Sequence, residues 1–298
     1  MYKELAIIAP TASGKTALSI ELAHELDAVI LSLDSLAVYK EIDIASAKPT
    51  LQERDGIIHF GIDCISPNEI FDVVEFHKEY KKAKKYALEN NKNLIIVGGT
   101  GFYLKSMIDG LSNAPTISEE TNTFVEKNLK NLSCLYETLY KVDENYMKKI
   151  AANDRYRVQK AAEIYFETKQ TPSQYFKENK PTPLIDDIKI FEIITDADIL
   201  RERISKRTQI MIKDGLIDEV IGLEKKYTRA PHSMNSIGIS ETFDYLDSKI
   251  NKKELEELIS IHTAQLAKRQ RTFNKSQFKN LQKENLIKIK ALILSNIP

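Results

Sequence analysis

The sequence predicts an α/β fold: a parallel sheet flanked by helices, with an α-helical insertion. Three observations carry this. In the first third of the chain, short apolar runs alternate with helix-length stretches, the pattern of a parallel sheet covered on both faces. A Gly-Lys-Thr turn follows the first apolar run and opens the first helix. The stretch from Pro115 to Asn179 holds no convincing strand and is rich in tyrosine and charge.

The elements follow in order. Leu5–Ala9 reads as a strand, Lys15–Leu26 as a helix, Val29–Leu33 as a second strand and Ile57–Ile62 as a third. A long helix over Phe71–Asn90 precedes a strand at Leu94–Val97. Prolines at 115, 172, 181 and 183 bracket the helical insertion. Ile188–Ile194 reads as a strand returning to the sheet. Ile199–Lys213, Asp218–Lys226 and Lys252–Phe278 read as helices, and Leu286–Leu294 as a last strand. The expected organisation is a core of residues 1–112 and 186–298, with 113–185 inserted as a helical unit. There is no internal repeat and no low-complexity tract.

Composition bounds the function. Hydrophobic residues make up 42% and charged residues 29% of 298, ordinary values for a globular chain. The 43 basic residues balance 43 acidic ones, which excludes a generally polycationic nucleic-acid binder but not a local basic surface. No apolar run approaches a membrane span of about 18 residues. Met1-Tyr2-Lys3-Glu4 has no secretory layout. Cys64 and Cys134 stand far apart, without zinc-knuckle or disulfide spacing. A cytosolic protein without membrane attachment is expected.

The strongest local signal is Ala9-Pro10-Thr11-Ala12-Ser13-Gly14-Lys15-Thr16. It follows a strand and opens a helix, the context a P-loop requires. Consecutive backbone N–H groups and a helix N-terminus suit a di- or triphosphate. Lys15 would add a charge on the phosphate oxygens, and Thr16 would reach a Mg²⁺ held on them. Ala9 stands where the pattern has glycine, which requires negative φ there. No Asn-Lys-x-Asp is present for guanine, and the strand at Leu94–Val97 ends in Gly98-Gly99-Thr100 instead of the acidic residue of a hydrolysing NTPase. A P-loop NTPase-like sheet holding a pyrophosphate without serving hydrolysis is the reading.

The second strand ends at Ser32-Leu33-Asp34-Ser35. Ligands of open parallel sheets bind at the carboxyl ends of strands. Asp34 would therefore lie near the phosphates, as a water-mediated Mg²⁺ ligand or a general base; a capping role is the alternative. The run Gly98-Gly99-Thr100-Gly101-Phe102-Tyr103 suggests close backbone approach to a ligand with the Thr100 hydroxyl available, or simply a tight turn. On a helix over Ile199–Lys213, with Leu200 at zero, Arg203 falls near about 300° and Arg207 near about 340°. Both share the apolar side, so an anion must meet them: a pyrophosphate, or a structural carboxylate. On the helix over Leu255–Phe278, Lys268, Arg271, Lys275 and Lys279 fall at about 160–240° from Leu255, opposite the apolar face. No acidic residue occurs from His262 to Asn280. That stripe is a candidate phosphate-backbone contact, with solvated surface as the alternative. His262 lies on the apolar face and reads as a packed histidine.

Together these residues resemble the tRNA dimethylallyltransferase family, the tRNA isopentenyl transferases of bacteria. The resemblance spans nearly the whole chain. It rests on Pro10–Thr16, Ser32–Lys40, Ala47-Lys48-Pro49, Gly98–Tyr103, Asn153-Asp154 with Arg157 and Ala161, Gly215, Glu219-Val220 and Leu266–Arg271.

The resemblance implies transfer of a dimethylallyl group from dimethylallyl diphosphate to N6 of the adenosine 3′-adjacent to the anticodon, in tRNAs reading codons that begin with U. It implies Mg²⁺, a monomer, and an adenosine flipped out of the anticodon loop. The P-loop residues, Thr16 with the metal, and Arg203 would hold the diphosphate. Asp34 would take the proton from the amine, and Thr100 would bond near it. By analogy, tRNA contacts fall on Asp34, Ser35, Leu36, Ala37, Thr100 and Asn122, and on Tyr156, Arg157, Val158, Gln159 and Lys160. They continue at Ser236, Ile237, Gly238, Ile239, Ser240 and Glu241, and at Lys268, Arg269, Arg271 and Lys275. Ala9, Asn122, Ala197, Ile239 and Ser240 depart from the family pattern. Alternatives are a P-loop small-molecule kinase, a transferase prenylating free AMP, and a non-catalytic nucleotide switch.

Overall fold

The computed structural model describes residues 2–297. They divide into two compact units, one of Met1–Ser106 with Ile185–Pro298 and one of Met107–Leu184.

The larger unit is built on a six-stranded, all-parallel sheet in the order β3-β2-β4-β1-β5-β6. The strands are β1 (Glu4–Ile8), β2 (Ala28–Leu33), β3 (His59–Phe60), β4 (Asn93–Gly98), β5 (Lys189–Ile194) and β6 (Leu281–Asn285). β1, β2 and β4 are almost wholly buried, because strands covered on both faces read as continuous apolar runs. The register is what positions the site. Ile8 pairs with Gly98 and Leu33 with Gly98, so β1, β4 and β2 end level with one another. β4 lies between β1 and β2; Asp34, expected beside the P-loop, reaches it across the end of an intervening strand.

The helices of this unit are α1 (Lys15–Glu25), α2 (Val73–Glu89), α3 (Gly101–Asp109, whose last turn passes into the smaller unit), α9 (Ala197–Lys213), α10 (Leu216–Tyr227), α11 (Ile239–Leu246), α12 (Lys252–Gln277) and α13 (Ile289–Asn296). α3 and α11 were not foreseen. One apolar cluster joins β1, β2, β4 and β5 to α1 and α13. A second packs Val38, Tyr39 and Ile42 against Leu216, Val220, Leu223, Phe243, Leu255 and Ile259.

Two expectations are corrected here. The third strand covers only His59–Phe60 instead of Ile57–Ile62. The last strand is not Leu286–Leu294; that region is largely α13, which buries Ile289 and Ile293 four residues apart while Ile287 is 91% exposed. The terminal strand is Leu281–Asn285, an edge strand of mostly polar residues whose Lys283 pairs with Glu192 at 2.7 Å. An edge strand paired on one side buries little, so its sequence carries no apolar run.

The smaller unit is helical: α4 (Glu119–Asn128), α5 (Leu132–Val142), α6 (Glu144–Met147), α7 (Arg155–Thr168) and α8 (Pro172–Glu178). Its core gathers Val125, Leu129, Leu135, Leu139, Met147, Ile150, Val158, Ala161 and Ala162. Buried Asp143 ties α6 to α8, accepting from Ser173 N at 2.7 Å, Ser173 Oγ at 2.8 Å and Tyr146 N at 3.1 Å. The capping box of Thr171 and Gln174 starts α8.

Candidate active site

The turn after β1 takes left-handed backbone at Ala12 (φ 62°) and Gly14 (φ 88°) and opens directly into α1. Ala9 is fully buried at negative φ, its N–H donating to the Gly98 carbonyl at 3.2 Å. The Ser13 hydroxyl is buried and meets no partner among the described residues. A buried donor left open costs about 1–3 kcal/mol unless a ligand satisfies it, which is what an anion cradled by this loop does.

A cleft of about 280 Å³ opens at the carboxyl ends of the strands. Its polar end holds Thr11, Lys15, Asp34, Ser35, Thr100, Arg207 and Gln270; Ile204, Met211, Ile259 and Leu266 line the rest. A polar annex of about 70 Å³ adds Thr16, Ser19 and Lys48.

Lys15 rests on the Pro10 carbonyl at 3.4 Å. Burial, helped by repulsion from Arg207 and opposed by Asp34, brings its ammonium down to about 8. Arg207 donates to Thr11 Oγ1 at 3.1 Å and is likewise lowered by burial, with Asp34 opposing. Neither cation forms an ion pair among the described residues. Two half-buried cations facing one carboxylate call for a bound anion.

Asp34 is oriented by its own turn. Its Oδ1 accepts from Leu36 N at 2.8 Å and Ala37 N at 3.1 Å, which leaves Oδ2 for the cleft. The capping alternative is thus half realised, and it serves to aim the other oxygen. Thr100 sits on the turn into α3, its N–H bonded to the Leu33 carbonyl at 3.0 Å and its side chain on the cleft.

The glycines beside Thr100 were expected to make room for a ligand. They make room for the protein instead. A Cβ on Gly98 would stand 2.5 Å from Leu33, one on Gly99 2.4 Å from Gln270 Nε2, and one on Gly101 2.5 Å from Asn274 Oδ1.

The two arginines of α9 separate. The helix buries Leu200, Ile204 and Thr208; Arg207 flanks this stripe inside the cleft, whereas Arg203 is exposed and reaches the P-loop only through Ser13 O at 3.4 Å. The expectation that both lie on the inner face is corrected to Arg207 alone.

Other expected contacts also divide by burial. Ala37, Val158, Ile239 and Glu241 are buried in the protein's own cores or caps, so they offer no side chain to an RNA. Ser236 and Ile237 line the cleft. Gly238 starts α11 at φ 93°. Asn122, Tyr156 and Arg157 are exposed on the smaller unit, Gln159 bonds Glu163 at 2.9 Å, and Lys160 lies over the Tyr156 ring. Lys268, Arg269 and Lys275 are exposed on α12 and Arg271 is half-buried; none has an ion pair among the described residues. Arg269, placed nearer the apolar side by its helical phase, is thus exposed with the rest. His262 is not simply packed. It meets Glu241 Oε1 at 2.5 Å, while Glu241 Oε2 accepts from Gly238 N at 2.7 Å.

Sequence reasoning gave Gln270, Lys48 and Glu219 no role, although each lies in a motif quoted for the resemblance. Glu219 accepts three backbone N–H bonds, from Asp43 (2.9 Å), Ile44 (2.7 Å) and Ala45 (2.9 Å). Lys48, whose side chain is 3% exposed, donates to Tyr39 O (2.6 Å), Asp43 (2.7 Å) and Asp63 (2.6 Å). Together they pin the loop whose Ala45 and Ser46 wall the cleft. Only the quoted Ala-Lys-Pro and Glu-Val motifs signalled these positions.

A parallel-sheet core whose phosphate loop opens on a cleft with a carboxylate, but with no acidic end on β4, defines a P-loop enzyme that uses its loop to hold a phosphate group. The comparisons narrow this. The IPP transferase family profile matches residues 37–277. The tRNA dimethylallyltransferase of Aliarcobacter butzleri is 60% identical over 281 residues, 93% of each chain, and that of Sulfurimonas denitrificans 53% identical over 294 residues, 99% of each. Among solved structures, the tRNA isopentenylpyrophosphate transferase of Bacillus halodurans matches with a TM-score of 0.73 at 29% identity, covering 100% of this chain and 96% of that one. A eukaryotic dimethylallyltransferase acting on tRNA matches with a TM-score of 0.85 at 26% identity, covering 99% and 80%. The chain belongs to the IPP transferase family.

Proposed function

We propose that this enzyme transfers a dimethylallyl group from dimethylallyl diphosphate to N6 of the adenosine immediately 3′ of the anticodon, in tRNAs reading codons that begin with U. The carrying observation is the two-ended cleft: Lys15, Arg207 and the P-loop at one end, Asp34 and Thr100 beside them, and an aliphatic lining of Ile204, Met211, Ile259 and Leu266. The charged end suits a diphosphate and the aliphatic wall a five-carbon chain.

In the reaction, the allylic C–O bond breaks, the N6–C bond forms, and diphosphate leaves. Lys15, Arg207, the open Ser13 hydroxyl and the loop N–H groups stabilise the charge that develops on the leaving group. Asp34, aimed by its turn, accepts the N6 proton through Oδ2. Thr100, which lines the same cleft, bonds at the amine through Oγ1. Thr16 at the start of α1 and Asp34 offer the hard oxygen donors that Mg²⁺ prefers, beside the loop that holds its phosphates; the ion supplies further neutralisation of the diphosphate. Arg203, exposed and bonded to the Ser13 carbonyl, meets the outer phosphate oxygens in this reading.

For tRNA, the supporting residues are the unpaired Lys268, Arg269, Arg271 and Lys275 on α12 and, in the smaller unit, Asn122, Tyr156, Arg157 and Lys160. No helix among the described residues is long and apolar enough to cross a membrane, and we propose a monomer in the cytoplasm. Labelled dimethylallyl diphosphate and Mg²⁺ with either total tRNA or AMP tests the reading. Label is expected in tRNA; label in AMP alone, or in neither, overturns it.

A further inference from the structure

The Gln270 side chain bridges the P-loop and the turn carrying Thr100. Its Oε1 accepts from Thr11 N at 3.0 Å. Only the oxygen of a carboxamide can accept an N–H bond, so this contact fixes which way the amide faces. The nitrogen must then lie on the other side, and it does: it rests against Gly99, where a Cβ would approach it to 2.4 Å. Gln270 lines the cleft with Asp34 and Thr100, and no acceptor among the described residues meets Nε2. A half-buried donor is thus held in one orientation, in the cleft that also holds the Asp34 carboxylate, and left open.

We infer that Gln270 reads the flipped adenine, donating from Nε2 to a ring nitrogen flanking the amine that Asp34 deprotonates. The inference rests on the transferase reading above. Adenine presents a donor, N6, next to ring acceptors, N1 on one side and N7 on the other. Asp34 as acceptor and Gln270 Nε2 as donor complement that edge, the pairing glutamine uses with adenine in nucleic-acid grooves. Guanine would turn O6 toward the Asp34 carboxylate and, on its Watson–Crick side, N1–H toward the amide donor. Gly99 belongs to the same device, since any side chain there would displace the amide. The arrangement also gives Thr11 N–H a role: it orients the reader.

The test uses anticodon stem-loop RNAs carrying adenosine, 1-deazaadenosine or 7-deazaadenosine at the target position. kcat/KM is measured for the full chain, for Gln270→Ala and for Gln270→Met, which keeps the bulk over Gly99. With the unaltered protein, one deaza RNA is expected to react roughly 10- to 100-fold more slowly than adenosine, the cost of leaving a donor unsatisfied once the base closes the site. In either variant, that RNA and adenosine should react alike, and diphosphate affinity should stay close to that of the unaltered protein. Indifference of the unaltered protein to both ring nitrogens overturns the inference. So does a deaza penalty that persists undiminished in the variants, which would leave Gln270 as a support for the P-loop alone. Transfer to adenosine by the unaltered protein in the same assay separates these outcomes from failure of the transferase reading, which would show as no transfer to any of the RNAs.

Discussion

The cations of the cleft and the cations on the outer face of α12 are alike in lacking carboxylate partners, and opposite in consequence. Lys15 and Arg207 are partly withdrawn from water in the cleft, and desolvation pulls both toward their neutral forms. Lys268 and Lys275 stand in solvent, where an unpaired charge costs almost nothing. An unpaired charge in the cleft is therefore held in place by the fold for a specific anion. An unpaired charge on the surface is a diffuse attraction, additive over several residues and weakened by salt. The smaller unit adds a contrast: Arg157 pairs with Asp154, and Lys160 with Glu163 at 2.7 Å, so its basic residues are partly neutralised within their own helix.

The largest expected effect tests the cleft's carboxylate. Asp34→Ala should keep diphosphate binding and lose roughly 10²- to 10⁴-fold in single-turnover rate, the range for a general base; a rate near that of the unaltered protein would place the base elsewhere. Next come the cations of the cleft. Lys15→Ala and Arg207→Ala should each weaken diphosphate binding by roughly 10-fold or more through loss of charge-assisted bonds, with little dependence on salt. Exposed Arg203→Ala should lose less than Arg207→Ala. The reverse order, measured by calorimetric titration with diphosphate, would mean that the solvent-facing arginine is the principal clamp.

The depressed Lys15 gives the same contrast a pH signature. Its protonated form is disfavoured in the fold, so the folded state loses its proton near pH 8 while the unfolded chain holds it to about 10.4. Stability contributed by this group should rise as pH climbs through that window. Diphosphate binding should run the other way: the bound anion restores the proton, and affinity should fall by up to about tenfold per pH unit above 8. Proton uptake on binding at pH 8.5, read by titration in buffers of different ionisation enthalpy, checks this; no uptake would mean that Lys15 is already charged.

The smallest effects lie on the surface. Arg271→Ala and Lys275→Ala should each lower tRNA affinity. Each should also flatten the slope of log affinity against log salt by a little under one for every phosphate left without its cation. Diphosphate binding should be untouched. Arg157→Ala should change the slope less, because Asp154 already offsets its charge; an equal or larger change would shift the weight of tRNA binding to the smaller unit.

Much of the site was legible because its signals are local. The P-loop is a backbone turn between a strand and a helix, and its glycine, lysine and threonine announce it within eight positions. Asp34 was legible because ligands of parallel sheets collect at strand ends, although the place of β4 between β1 and β2 was not foreseen. Helical phase separated Arg207 from Arg203 by only about 40°, too little to tell the cleft from the solvent without the neighbouring helix. Gln270 carried no signal of its own beyond lying in the Leu266–Arg271 run of the resemblance. Glutamine on a basic helix reads as solvated, and its two contacts lie in parts of the chain far from it in sequence.

The sequence alone determined the α/β class, the phosphate loop, the helical character of the insertion and membership in a prenyl-transferring family. The first three rest on periodicity or on short-range backbone chemistry, and the family on a resemblance of motifs along the chain; a linear pattern contains all of these. Only the tertiary structure decided that β2, β4 and β1 end level, that Arg207 and not Arg203 enters the cleft, and that Glu219 and Lys48 hold its wall. It also decided that the chain closes its sheet with the polar edge strand Leu281–Asn285 and a helix after it. Each of these depends on which surface a residue meets once distant segments pack. Burial and the unmet hydrogen bond, which turn Lys15, Arg207 and Gln270 into parts of a site, are properties of that packing and have no counterpart in the order of residues.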